Sequence, residues 1–137
     1  MSNSGITEIA YHFADASVPP DYHRSYGITV TASEVRIVVD SYGEILADET
    51  FAVTAERFDE LKKALSRRRI MNCVLTEDEG CTGGTSEKIS YRDDQRQLFS
   101  GTVHHCGGKD TGDLCGEISA FAEDVKKLVP DLENLLQ

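Results

Sequence analysis

The sequence predicts an α+β domain, a single antiparallel sheet of six or seven strands with two amphipathic helices packed on one face. Three observations lead there. Apolar residues alternate with mostly polar or small ones over four consecutive segments of the first half, as in strands with one wet face. Short connections of turn-forming residues join the last three of these segments into a meander. Two later stretches carry apolar residues at helical spacing instead. At 137 residues the chain is long enough to bury a core without staples, so one domain over residues 1–137 is expected.

The first segment holds Ile9, Tyr11 and Phe13, and the second Tyr22, Tyr26, Ile28 and Val30. Between them, Ala14 to Asp21 contains Pro19-Pro20 and is read as irregular. The third segment holds Val35, Ile37 and Val39, the fourth Ile45, Ala47, Phe51 and Val53. With Thr31-Ala32-Ser33-Glu34 as a turn, Val30 meets Val35 and Ile28 meets Ile37. With Ser41-Tyr42-Gly43 as a three-residue turn, Val39 meets Ile45 and Ile37 meets Ala47.

Thr54 then caps a helix with Glu56 in its first turn and Phe58, Leu61 and Leu65 on one side. Ile70 to Leu75 reads as a short strand, and Thr76 to Thr85 as an acidic, glycine-bearing loop. Ser86 to Arg92 reads as another strand, turning at Asp93-Asp94-Gln95 into a partner that runs to His105. Cys106 to Gly112 reads as a turn-rich loop. A helix with Ile118, Phe121, Val125 and Leu128 follows, interrupted at Pro130 and finished by Leu132, Leu135 and Leu136.

The balance of 24 acidic against 14 basic residues gives a net charge of −10, which repels phosphate backbones and anionic lipid. Neither nucleic acid nor a membrane is therefore an expected partner, whereas a basic protein is. Arg67-Arg68-Arg69 falls at a helix end, where the dipole already accounts for cations. Met1-Ser2-Asn3-Ser4-Gly5 resembles no secretory leader, so a cytoplasmic setting is expected. In that setting Cys73, Cys81, Cys106 and Cys115 are expected to be reduced.

Counting outward from Asp93-Asp94-Gln95 pairs Arg92 with Arg96, Tyr91 with Gln97 and Ile89 with Phe99. Cys106 then falls opposite Thr82, next to Cys81, with glycines beside both. Three readings follow: reduced structural thiols, a Cys81–Cys106 disulfide, and a zinc site. For zinc, His104 and His105 point to opposite faces, so the set is Cys81, His104, Cys106 and Cys115. Its spacing matches no common zinc signature. Cys115, at the start of the last helix, is expected to be the more reactive thiol. His12 and His23 are placed near each other on the outer face of the first hairpin, as a pH-sensing pair or as plain exposed residues.

Gly107-Gly108-Lys109-Asp110-Thr111-Gly112 lacks the order of a phosphate loop, and no nucleophile elbow, dinucleotide fingerprint or metalloprotease helix is present. The function expected from the residues is a small acidic, non-catalytic interaction or binding domain without cofactor. The alternative is a thiol- or zinc-dependent protein built on Cys81, His104, Cys106 and Cys115.

Overall fold

The computed structural model describes residues 5–16, 18–74, 84–106 and 109–136. It is α+β, with one antiparallel sheet of seven strands in the order β4-β3-β2-β1-β6-β7-β8. The strands are β1 (Glu8–Ala14), β2 (Ser25–Val30), β3 (Glu34–Ser41), β4 (Glu44–Ala52), β6 (Thr85–Arg92), β7 (Gln97–Cys106) and β8 (Lys109–Gly112). A separate two-stranded ladder joins β5 (Met71–Asn72) to β9 (Leu114–Cys115). The helices are α1 (Ala55–Arg67), α2 (Ile118–Lys126) and the single turn α3 (Leu132–Leu135). Among the described residues no helix is long and apolar enough to cross a membrane.

The N-terminal meander forms because its alternation puts one apolar stripe on one face. Ile9 pairs with Val30 and Val30 with Val35, while Tyr11 pairs with Ile28 and Ile28 with Ile37. All of these are buried. The sheet continues past β1 because β6 brings Ile89 opposite Tyr11 and Tyr91 opposite Ile9. Helices α1 and α2 cover this face with Phe58, Leu61, Ala64 and Leu65 from one and Phe121, Ala122 and Val125 from the other. Thr54 caps α1 as expected, its hydroxyl accepting the Arg57 amide proton at 3.2 Å.

Two hairpin registers differ from expectation, for one reason. The third turn contains two residues, not three: Ser41 pairs with Glu44, and Tyr42 and Gly43 both take positive φ, of 50° and 89°. That combination is the turn that matches strand twist. A bulge between Val39 and Asp40 absorbs the difference, so Val39 meets Ala47 and Ile37 meets Glu49. Beyond the bulge Ile45 pairs with Asp40 and lies on the outer face, 61% exposed instead of in the core stripe.

At the other hairpin, Asp93 bends the chain by accepting the Gln95 and Arg96 amide protons, both at 2.8 Å. Arg92 then pairs with Gln97, and a bulge follows, so Tyr91 meets Phe99 and Ile89 meets Gly101. The expected sharing of one face by Ile89, Tyr91, Phe99 and Val103 holds, because a shift of two keeps the faces. The described pairing of β6 with β7 ends at His105–Thr85; continued by one step, that register would set Cys106 opposite Gly84 and not Thr82.

The segment read as a loop before Gly112 contains β8, which completes the seventh strand by pairing Asp110 with His105 and Thr111 with His104. Gly112 is required where β8 ends: its φ is +118°, and a Cβ there would stand 2.2 Å from the Thr102 carbonyl oxygen.

Candidate functional site

Period-two alternation puts Glu87 in phase with Ile89 and Tyr91, on the face that carries the core. A carboxylate in that position needs partners, and two elements supply them. From β1, the buried Tyr11 hydroxyl donates to Glu87 Oε1 at 2.6 Å. From β7, His105 Nε2 bonds Glu87 Oε2 at 2.7 Å, and its Nδ1 bonds Asp110 Oδ1 on β8 at 2.8 Å. Tyr26, at 6.2 Å from the Tyr11 ring, extends the line of polar groups, and the Lys126 ammonium lies 5.8 Å over its ring. Four strands are thus stitched by side chains across the helix-covered face.

Both ring nitrogens of His105 face carboxylate oxygens, which accept and do not donate, so the geometry favours the imidazolium form. Burial is the largest single influence and opposes that charge. Hydrogen bonds and charge from Glu87 and Asp110 together outweigh it and raise the His105 pKa above its ordinary value. Burial, aided by Glu87, also pushes the Tyr11 hydroxyl far up, so Tyr11 stays a donor. With each nitrogen occupied, His105 has no free position from which to take a substrate proton. The arrangement is a clasp.

Because the folded imidazole value is raised, the clasp stabilises fully below the unfolded value of 6.5 and fades as pH rises through the folded one. His105→Asn is therefore expected to cost up to ~1 kcal/mol in mildly acidic buffer, since the ring is partly exposed and screened. The cost should shrink in alkaline buffer. Thermal midpoints of parent and variant across this range test it, and a difference that widens with rising pH excludes the clasp.

The cysteine and histidine candidates are distributed differently from expectation. Cys115 is bonded to Cys73, with Cα atoms 5.9 Å apart, so these two are not the reduced thiols expected. A zinc set containing Cys115 would require that bond to be broken. Cys81 and the side chain of Cys106 lie outside the described residues, and so does their expected proximity. His104 sits on the outer face, as expected, with Nδ1 2.7 Å from Ser86 Oγ. Among the described residues no cluster of three or more His, Cys, Asp or Glu has metal-holding geometry.

His12 and His23 do not meet. His12 faces Gly27, while His23 is buried in the connection before β2 and stacked on Tyr42 at 3.9 Å between ring centroids. The Tyr42 hydroxyl in turn donates to the Val18 carbonyl. Reading the sequence missed Glu87 and Asp110 and passed over His105 in favour of His104. The available signal was Glu87 itself, an acid at a core position of an otherwise apolar stripe.

A second feature lies at the opposite edge. Strand β4 is nine residues long, pairs on one side only among the described residues, and is exposed over most of its length. Tyr42, Ile45 and Leu46 are each exposed at or just before its start, and Tyr22 is exposed in the connection before β2. Glu44, Asp48 and Glu49 give the strand its charge, Asp48 being held by Arg36 through two hydrogen bonds of 2.9 and 2.7 Å. No family model matches the chain, and comparison with curated proteins and with solved structures gives no match.

Proposed function

We propose that this is a non-catalytic protein-binding domain that takes an extended, basic segment of a partner along β4. The observation that carries the reading is the nine-residue edge strand, unpaired on its outer side among the described residues and flanked by exposed tyrosines and aliphatics. An open edge offers a row of main-chain hydrogen bonds to another strand, and pockets or charges beside it choose the partner. Tyrosine is among the residues enriched at interfaces.

Charge sets the class of partner. Glu49 stands opposite Ile37, on the face that carries the core, and remains exposed. An inward-pointing charge and a bulge are devices that keep an edge from pairing with its own kind. A second copy at −10 would also be repelled, whereas a segment rich in lysine or arginine would be drawn in. Nucleic acid and membranes fit this surface poorly for the same reason. The alternative, a thiol- or zinc-dependent protein built on Cys81, His104, Cys106 and Cys115, would need the Cys73–Cys115 bond opened to free Cys115. The cytoplasmic setting expected from the first residues would leave the Cys73–Cys115 bond reduced; bonded, the domain suits an oxidising surrounding.

A synthetic peptide of alternating valine and lysine is the direct probe. It is expected to slow hydrogen exchange at amides of residues 44–52 and not along β8. Glu44→Lys combined with Glu49→Lys should weaken its binding about tenfold or more and remove much of its salt dependence. Protection spread evenly over the surface, or equal binding by the charge-reversed variant, sinks the proposal.

A further inference from the structure

We infer that the groove between α1 and α2 binds a free medium-chain carboxylate, an apolar tail carrying one anionic head. The two helices lie side by side, with Arg57 near the start of α1 reaching the end of α2 and Arg68 after α1 reaching Asp124 in α2. Between them is an open groove of about 220 Å³, below the roughly 300–1,000 Å³ of clefts that hold drug-sized molecules. Its floor is Leu61, Ala64 and Leu128, and its rim carries Arg57, Arg67 and Lys127. Arg57 and Arg67 are separated by about 15 Å at 1.5 Å of rise per residue, so an extended short chain fits along the floor.

The charges are what single this groove out. In a chain of net charge −10, three cations, Arg57, Arg67 and Lys127, line this groove beside two anions, Glu60 and Asp124. Asp124 is already bonded by Arg68 at 3.1 and 3.4 Å. Arg67 and Lys127 approach it no closer than 3.9 Å, beyond hydrogen-bonding distance. Helix dipoles account for cations at the ends of α1 and α2, but Arg57 stands in the first turn of α1, where a cation is disfavoured. Arg57 makes a single long bond to the Lys127 carbonyl, 3.4 Å, and its other donors are unspent among the described residues. A carboxylate satisfies such donors in the bidentate manner of guanidinium pairs, while its tail covers the apolar floor. Phosphate alone would leave that floor wet, and an amine would meet the wrong charge.

The test titrates the full chain with sodium octanoate, observed by two-dimensional NMR. Saturable shifts are expected at amides along the groove-facing turns of α1 and at residues 124–128, with octylamine and inorganic phosphate giving none there. Arg57→Glu combined with Lys127→Glu should weaken octanoate about tenfold in protein whose amide spectrum shows it folded, and Lys127→Gln alone should weaken it in the same direction. Four results overturn the inference. Equal binding of octylamine would show apolar contact alone; equal binding of phosphate, charge alone; binding of phosphatidylglycerol vesicles where octanoate does not bind, a membrane face. Unshifted groove amides at saturating octanoate are the fourth.

Discussion

Replacing Ile37 by alanine is expected to lower the free energy of unfolding by about 2–5 kcal/mol, the usual range for truncating a fully buried aliphatic side chain. Ile37 is completely inaccessible, sits mid-strand in β3, and is paired with Ile28 on β2. Its neighbour on β4 is Glu49, whose exposed side chain leaves little there to fill the vacated space. Ile45→Ala serves as the internal comparison. That side chain lies past the bulge on the outer face, so its loss should change stability by no more than ~0.5 kcal/mol. Urea midpoints for the two variants decide between registers: equal losses would mean that the bulge at Val39/Asp40 is misplaced.

Breaking the Cys73–Cys115 bond should have an effect of similar size. The cysteines are 42 residues apart, and closing a loop of that length restricts the unfolded chain by an amount worth roughly 4 kcal/mol in the chain-entropy account. The β5–β9 ladder beside the bond is short, two residues of each strand, and is helped by the Cys73 amide donating to the Asp113 carbonyl and by the buried Leu114. A ladder that short has no independent stability. Cys73→Ser with Cys115→Ser is therefore expected to unfold at a lower urea concentration. Dithiothreitol should lower the parent's midpoint toward that of the variant. A peptide map of the unreduced protein that joins Cys73 to any residue other than Cys115 would refute the assignment, whatever the midpoints do.

The legible parts of the fold are those in which side-chain period and burial coincide. Alternation from Ile9 to Val39 gave the meander and the Val30–Val35 and Ile28–Ile37 pairs, and helical spacing with Thr54 ahead of it gave α1. What escaped was set by main chain or by polar residues. Strand β8 reads Lys-Asp-Thr-Gly, a sequence with no apolar stripe, because its role is to present Asp110 to His105 at a sheet edge. The two bulges move a pairing by two residues and keep the faces of the strand bodies, while Ile45, on the turn side of one bulge, changes face; the hydrophobic pattern registers none of this. The bond from Cys73 to Cys115 depends on β5 and β9 meeting, and strands of two residues carry no periodicity at all. Within the site, reading histidines as metal ligands drew attention to His104. A count of charged residues on apolar faces would have drawn it to Glu87.

The central position of β1 has a consequence for how the chain comes together during synthesis. Strands β2, β3 and β4 can add to β1 in order as soon as they emerge, each next to the one before it. The other long edge of β1 must wait for β6, and Tyr11 for a carboxylate 76 residues further on. Throughout that interval a half-finished sheet offers the main chain beside Ile9, Tyr11 and Phe13 to any strand that arrives first. The second half of the chain therefore acts as a cover for the first. The nascent protein is most exposed to mispairing not at its finished edge, where Glu49 stands guard, but in what becomes its middle.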